Sequence, residues 1–423
     1  MFSKKKFISF ILCGMLSVSC MSMPVFAETQ PETTESATET TAKKTEEITS
    51  GEYTYHIDEE YGGAVITQYK PKDKNVVLPA EIDGNTVVGL GDFIFDRQSN
   101  IETVTIPVSL CHIGASAFYG TGVKEFFVDA GHPMYKAEDG VLFSKDGIAL
   151  VAYPPAKADT SYTVPDGVEE LYHGCFASNT HLTELELPDS IIYIDSWAFA
   201  YTILEKLELP DNVKEIGAYS FAYMKRLTDI KLPPQIINIP SAAFAGSSNL
   251  VNVTLNEGLV EIGQGAFAGT AVRSIVIPTT VNEIGYCALG YAENLKTSYS
   301  TLVIYGLSGS VAQTYSNDKD EEYNYKNNFT FISKTSAQIK AMLSDGSEDE
   351  TNGGTQEATE KKVIVKEEKT SNSAFTWKVI IMALGAVVLC GGIGAVAVSA
   401  NKNKAAGSNN KAEKNADTDD KKE

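Results

Sequence analysis

The sequence predicts a β-rich right-handed solenoid with short helical or 3₁₀ turns, followed by one C-terminal transmembrane helix. Three observations predict it. Phenylalanine recurs at 95, 118, 176, 199, 221, 244 and 267, with Leu289 closing the series. Every step between them is 22 or 23, apart from one of 58. A strand-like segment recurs on the same beat, as in Leu182-Thr-Glu-Leu185-Glu-Leu187-Pro188. An uncharged apolar run, Val379 to Ala400, lies near the C-terminus. Periods of about 20–50 residues mark solenoids, because each unit is too short to bury its own apolar face and must stack on its neighbours.

The N-terminus comes first. Lys4, Lys5 and Lys6 precede an apolar run from Phe7 to Val18, and Val25-Phe26-Ala27 places small or β-branched residues at the positions a signal peptidase reads. Residues 1–27 therefore read as a secretory signal peptide cut before Glu28. Residues 28–50 are rich in Thr and Glu and hold too little apolar surface to repay ordering, so they read as disordered.

The repeats occupy residues 76–300, eight in number. Before each Phe sits a small residue (Ala117, Cys175, Ala198, Ser220, Ala243, Ala266, Ala288), and five before it an aliphatic such as Ile113, Ile194 or Ile262. In the strand segment, inward aliphatics alternate with outward polar residues, as a one-sided strand requires. Proline at 107, 165, 188, 210, 233 and 278 ends it, having no N–H for a ladder. The Ile-Gly-x-x-Ala-Phe stretch suits a tight turn into a short helical or 3₁₀ segment. The step of 58 reads as one repeat plus an insertion of about 35, near 129–163, shaped as two strands around Lys145-Asp146-Gly147.

Beyond the repeats, residues 334–376 read as a disordered linker rich in Asp, Glu, Ser and Lys. The apolar run, within a predicted membrane helix at 377–400, spans ~33 Å at ~1.5 Å per residue, enough for a hydrocarbon core of ~30 Å. Lys402 and Lys404 follow it, placing tail 401–423 in the cytoplasm and the repeats outside.

Composition excludes several functions. With 55 acidic against 35 basic residues and a net charge of −20, the chain is a poor match for nucleic acid, which Lys and Arg must neutralise. Five histidines and six cysteines show no zinc-ligand spacing. No HExxH, GxSxG or phosphate-binding glycine loop appears. The reading is therefore not an enzyme, with no cofactor and no metal. Glu215, Glu261 and Glu283 share a column, but Asn238 interrupts it, and solvated charge is the preferred reading.

The pattern LxxIxLPxxVxxIGxxAF resembles that of the BspA-like bacterial leucine-rich repeat proteins. By the same resemblance, 51–75, with Ile66-Thr67-Gln68-Tyr69, is an N-terminal cap, and 301–333, from Ile304-Tyr305-Gly306 to Phe329-Thr-Phe331, is a closing cap. The family's members are exported surface proteins, so the resemblance implies a cell-surface adhesion role toward host-matrix or other cell-surface proteins.

Two surfaces are candidate binding sites. Outward strand positions form one ladder through Thr103, Glu125, Glu184, Lys206, Asp229, Asn252 and Ser274. A second runs through Thr105, Phe127, Glu186, Glu208, Lys231, Thr254 and Val276. The bland reading is a solvated sheet in which Lys206 lies between Glu184 and Asp229, and Lys231 beside Glu208, each satisfying the other. The functional reading is a docking surface for a protein. Elsewhere Tyr193, Trp197, Tyr201, Tyr219 and Tyr223 form an aromatic stripe that either packs on itself or binds a glycan. A structural envelope protein is the third alternative.

Overall fold

The computed structural model describes residues 46–299, 301–320 and 325–345. The signal peptide, most of the Thr/Glu-rich segment, the apolar run 379–400 and the tail lie outside the described residues. Among the described residues, no helix is long and apolar enough to cross a membrane. Within them the chain is a β-solenoid with little helix.

Successive coils lay short strands in parallel. Asn75–Val77 pairs with Thr103–Ile106, which pairs with Glu125–Val128. Ser161–Thr163 pairs with Glu184–Glu186, Asp229–Lys231 with Asn252–Thr254, and Ser274–Val276 with Val303–Gly306 and then Thr330–Ser333. Middle residues such as Val104, Phe126, Leu185, Ile230 and Ile275 are buried and their neighbours point outward, the alternation of a one-sided sheet. The prolines close each strand with their carbonyls as well: those of Pro107, Pro165, Pro188, Pro210, Pro233 and Pro278 accept the N–H three residues on. A second parallel ladder follows at the Ile-Gly positions, for example Tyr193–Ile194 on Glu215–Ile216.

The Phe turns differ from the sequence expectation: they are neither helical nor 3₁₀. In the Phe199 coil, the N–H groups of Ala198, Ala200 and Thr202 donate back to Asp195, Trp197 and Phe199. Those of Trp197, Phe199 and Tyr201 donate instead to Ala218, Ser220 and Ala222 of the next coil. Left-handed backbone at Trp197 (φ 62°) and Tyr201 (φ 63°) turns alternate amides onto the neighbour, which a continuous 3₁₀ run does not do. The described helices are α1 (Val311–Ser316) and α2 (Ser336–Asp345).

The phenylalanines form the core spine. Phe176, Phe199, Phe221, Phe244 and Phe267 are fully buried, and neighbouring rings stack within 5.0–5.6 Å. The step of 58 hides a coil of its own. Tyr153 precedes Phe176 by one regular step and stacks on it, and Ala149–Leu150 joins the ladder on Glu170–Leu171. The insertion is thus an enlarged coil, from Phe118 to Tyr153, that carries the predicted hairpin around Lys145-Asp146-Gly147.

That coil also divides the core, so the expected single continuous spine is two. Hairpin strands Val141–Ser144 and Ala149–Ala152 are buried on both faces. Val141, Phe143 and Leu150 belong to the downstream core; Leu142, Val151 and Ala152 belong to the upstream one. Tyr172 packs on both and donates its hydroxyl to the Ile113 carbonyl at 3.2 Å. The position of Tyr172 is held by glycine at 114, 217, 263 and 285, by Asp195 and by Pro240 in the other coils. A Cβ on Gly217 would lie 2.2 Å from the Ser196 amide, so that coil admits only glycine, whereas the coils of Asp195 and Pro240 accept a side chain at the same position. At Tyr172 the preceding element is the hairpin and not a regular coil, and a large side chain fits.

At the C-terminus the structure corrects the linker expectation: residues 336–345 are helical. Thr335 and Gln338 form a capping box, with Gln338 Oε1 accepting the Thr335 N–H at 3.0 Å and Thr335 Oγ1 accepting the Gln338 N–H at 3.3 Å. Ile339, Met342 and Leu343 are buried against the last coils.

Candidate functional site

The outward sheet face changes character along the solenoid. At its start the charges are paired: Lys74 and Lys124 both reach Glu102, at 2.8 and 3.2 Å, and hold its carboxyl below the usual range. Further along pairing is partial: Glu205 pairs with Arg226 at 3.5 Å, but the ladder charges beside it stay unpaired. Glu184, Lys206, Glu208 and Lys231 are exposed and, among the described residues, make no ion pair or side-chain hydrogen bond. The predicted Lys206 and Lys231 bridges do not form. Asp229 instead accepts from the Thr228 hydroxyl and the Asn252 amide, which lower its pKa, with Lys206 adding only field at longer range. Glu186 accepts from the Thr163 hydroxyl at 3.0 Å. Phe127 stands apart, 44 % exposed beside Thr105.

The ladder itself opens at this place. Residues 203–209 form no strand and, among the described residues, make no backbone hydrogen bond, so the backbone around Lys206 and Glu208 is left to water. Leu204 follows Phe199 by five positions, whereas Leu182 follows Phe176, and Leu227 follows Phe221, by six. The shorter turn is closed by Thr202 Oγ1 donating to the Phe199 carbonyl at 2.8 Å. The equally short Phe118–Val123 turn is closed in the same way by Thr121, yet the strand after it, Glu125–Val128, keeps its ladder, so turn length alone does not open the sheet. A second break, between Asn252–Thr254 and Ser274–Val276, follows the equally short Phe267–Val272 turn.

The aromatic stripe is built from left-handed positions. Trp197 and Tyr219 share a column with Gly174 and Gly265; Tyr201 and Tyr223 share one with Gly120, Gly246 and Gly269. All have positive φ, which explains the glycines. Trp197 stacks on Tyr219 at 4.6 Å and Tyr201 on Tyr223 at 4.4 Å, nearly parallel. Tyr119, missed in the sequence, meets the edge of Tyr201, and Tyr223 lies over Gly246. Ring faces are therefore turned to one another. Tyr193 is not among them: it lies in the second ladder between Glu170 and Glu215.

Sequence reasoning also missed Glu170. It is 4 % exposed beside the hairpin coil; its N–H donates to the Ile148 carbonyl, while its carboxylate has no hydrogen-bond partner among the described residues. Burial, with Asp195 nearby, pushes its pKa up to about 7. Close by, Ser116 Oγ and His173 Nδ1 share a 3.0 Å hydrogen bond at a cavity of about 10 Å³. Such a cavity holds about one water and no substrate. Cys175 is buried in its small-residue column. Among the described residues no group of three His, Cys, Asp or Glu side chains is placed to hold a metal.

With this geometry in place, comparison with known proteins identifies the repeats. A family model described as the BspA type leucine rich repeat region matches residues 75–133 and 169–296 in six copies. The chain carries a BspA-type leucine-rich repeat region. The BspA-type match skips residues 134–168, which include both long hairpin strands and Tyr153. Solved structures similar to this chain include three from bacterial proteins. The pneumococcal vaccine antigen PcpA is 16 % identical with a TM-score of 0.39, covering 70 % of this chain and 100 % of its own. A leucine-rich repeat protein from Eubacterium ventriosum is 16 % identical with a TM-score of 0.41, covering 60 % and 95 %. A leucine rich cell surface protein from Faecalibacterium prausnitzii is 18 % identical with a TM-score of 0.31, covering 73 % and 100 %. No curated protein matches the sequence.

Proposed function

We propose that this BspA-type protein is a non-enzymatic binding platform on the bacterial cell surface, docking a protein partner on the outward face around Lys206, Glu208 and Lys231. The observation that supports this most is the unpaired charge there. On a merely solvated sheet, neighbours satisfy one another, as Lys74, Glu102 and Lys124 do. Here, among the described residues, Glu184, Lys206, Glu208 and Lys231 stand free on a rigid scaffold, beside backbone groups with no ladder partner. A partner with complementary charges gains these contacts without breaking internal ones, and the preformed face costs little ordering entropy. The partner class is a host-matrix or cell-surface protein. Export by the signal segment 1–27 and anchoring by Val379 to Ala400 belong to the same proposal.

The glycan alternative draws little from the aromatic stripe, because a sugar stacks on an open ring face and these faces already stack on each other. The test is capture from host-matrix and cell-wall fractions by the full chain and by its Lys206→Glu/Lys231→Glu variant. Loss of a captured protein in the variant supports the reading. Capture of glycan alone, insensitive to these charges, overturns it.

A further inference from the structure

The second break in the outward sheet is covered: α2 lies over it. Consecutive coils place Asn252–Thr254 beside Ser274–Val276, yet the two strands do not pair. The outward residues Thr254, Val276 and Tyr305 share a crevice with Met342 and Leu343, which puts the helix over the outward face at the break.

The chemistry of the face changes at the same place. Along one outward column Glu186, Glu208 and Lys231 give way to Thr254, Val276 and Tyr305. The helix answers with Ile339, Met342 and Leu343, spaced i, i+3, i+4, and its Lys340 Nζ lies 3.5 Å from Glu257. The fit is incomplete, leaving a crevice of about 100 Å³ between helix and sheet. The crevice opens to solvent, so a larger side chain at the Met342 position has room to enter it. The plug is held by the apolar side chains it lays in the groove. Helices of about 12 residues or fewer are marginal alone, so this one of ten depends on the groove, and Lys340 and Glu257 are both exposed.

We propose that the crevice between Asn252–Thr254 and Ser274–Val276 is a binding site for an amphipathic helix, and that α2 fills it in cis as a displaceable plug. The fitting partner is a short helix with large apolar residues at i, i+3 and i+4 and a basic residue for Glu257. This does not rest on the charged face around Lys206, which lies on other coils, so either can fail alone.

The test uses the full chain, wild type and Ile339→Asp/Leu343→Asp, with a labelled peptide of residues 335–345 and the same peptide carrying Met342→Phe. The variant, its own helix detached, is expected to bind the peptide at least tenfold more tightly than wild type, and the Met342→Phe peptide more tightly still. Adding Val276→Asp should remove that binding. A variant that melts like wild type but binds neither peptide, or equal binding by both proteins, overturns the proposal. Should the variant fail to fold, hydrogen exchange on the wild-type protein decides. Amides of α2 exchanging well ahead of Val303–Gly306 support a displaceable plug; exchange in step with that strand overturns it.

Discussion

Tyr153 stacks on Phe176 with ring centroids 5.3 Å apart and 27° between the planes, and its N–H donates to the Cys175 carbonyl at 2.8 Å. That carbonyl position receives the phenylalanine amide in regular coils, as Phe199 donates to Ser220 and Phe244 to Ala266. The hairpin coil thus enters the downstream core as a full member, and the downstream spine begins at Tyr153. Replacing Tyr153 with Ala should cost about 3–5 kcal/mol, the usual loss for a buried aromatic. Urea denaturation measures this. A loss below about 1 kcal/mol would mean that the downstream core ends at Phe176.

Glu170 makes the same junction sensitive to pH. Its folded pKa lies near 7, above the ordinary 4.5, because burial, aided by Asp195, favours the neutral acid. The folded state therefore binds the proton more tightly, and the stability this supplies is full below pH 4.5 and lost as pH rises through 7. A shift of that size corresponds to about 3 kcal/mol. Burial lowers the pKa of nearby His173 and acts in the opposite direction, so the variant comparison is the clean measurement. Glu170→Gln should melt close to wild type at pH 5 and clearly above it at pH 8. Parallel melting curves across that range would remove Glu170 from the account.

Gly217 and Gly84 offer a controlled pair. A Cβ at Gly217 would sit 2.2 Å from the Ser196 backbone N, whereas Gly84, at φ +79°, has nothing within 4 Å of that position. Gly84→Ala should cost about 1–2 kcal/mol, from left-handed backbone alone. Gly217→Ala should cost more, since two coils must part to admit the methyl. Thermal melts compare them, and equal losses would show that the coils are not in contact there.

The spine was legible because buried phenylalanines recur on a fixed beat, and the strands because proline ends them. Tyr153 escaped notice because its coil is markedly longer than a regular repeat and carries a Tyr where the column has Phe. The sequence also held the signal for α2, a Thr335/Gln338 cap ahead of Ile339, Met342 and Leu343, but the surrounding Asp, Glu and Ser gave the segment a disordered composition. The lysine bridges were read from column neighbours at strand spacing. They fail where residues 203–209 leave the ladder, a break in strand pairing that column alignment does not register.

The central claim is that the outward face around Lys206 and Lys231 binds a protein. Measuring the captured partner's affinity for wild type and for Lys206→Glu/Lys231→Glu, at low and at physiological salt, tests it most directly. Exposed substitutions should leave the variant within about 0.5 kcal/mol of wild type in stability. The account predicts a loss of affinity of at least tenfold in the variant, and wild-type binding that weakens with salt. Unchanged affinity in a folded variant, at both salt concentrations, would contradict it.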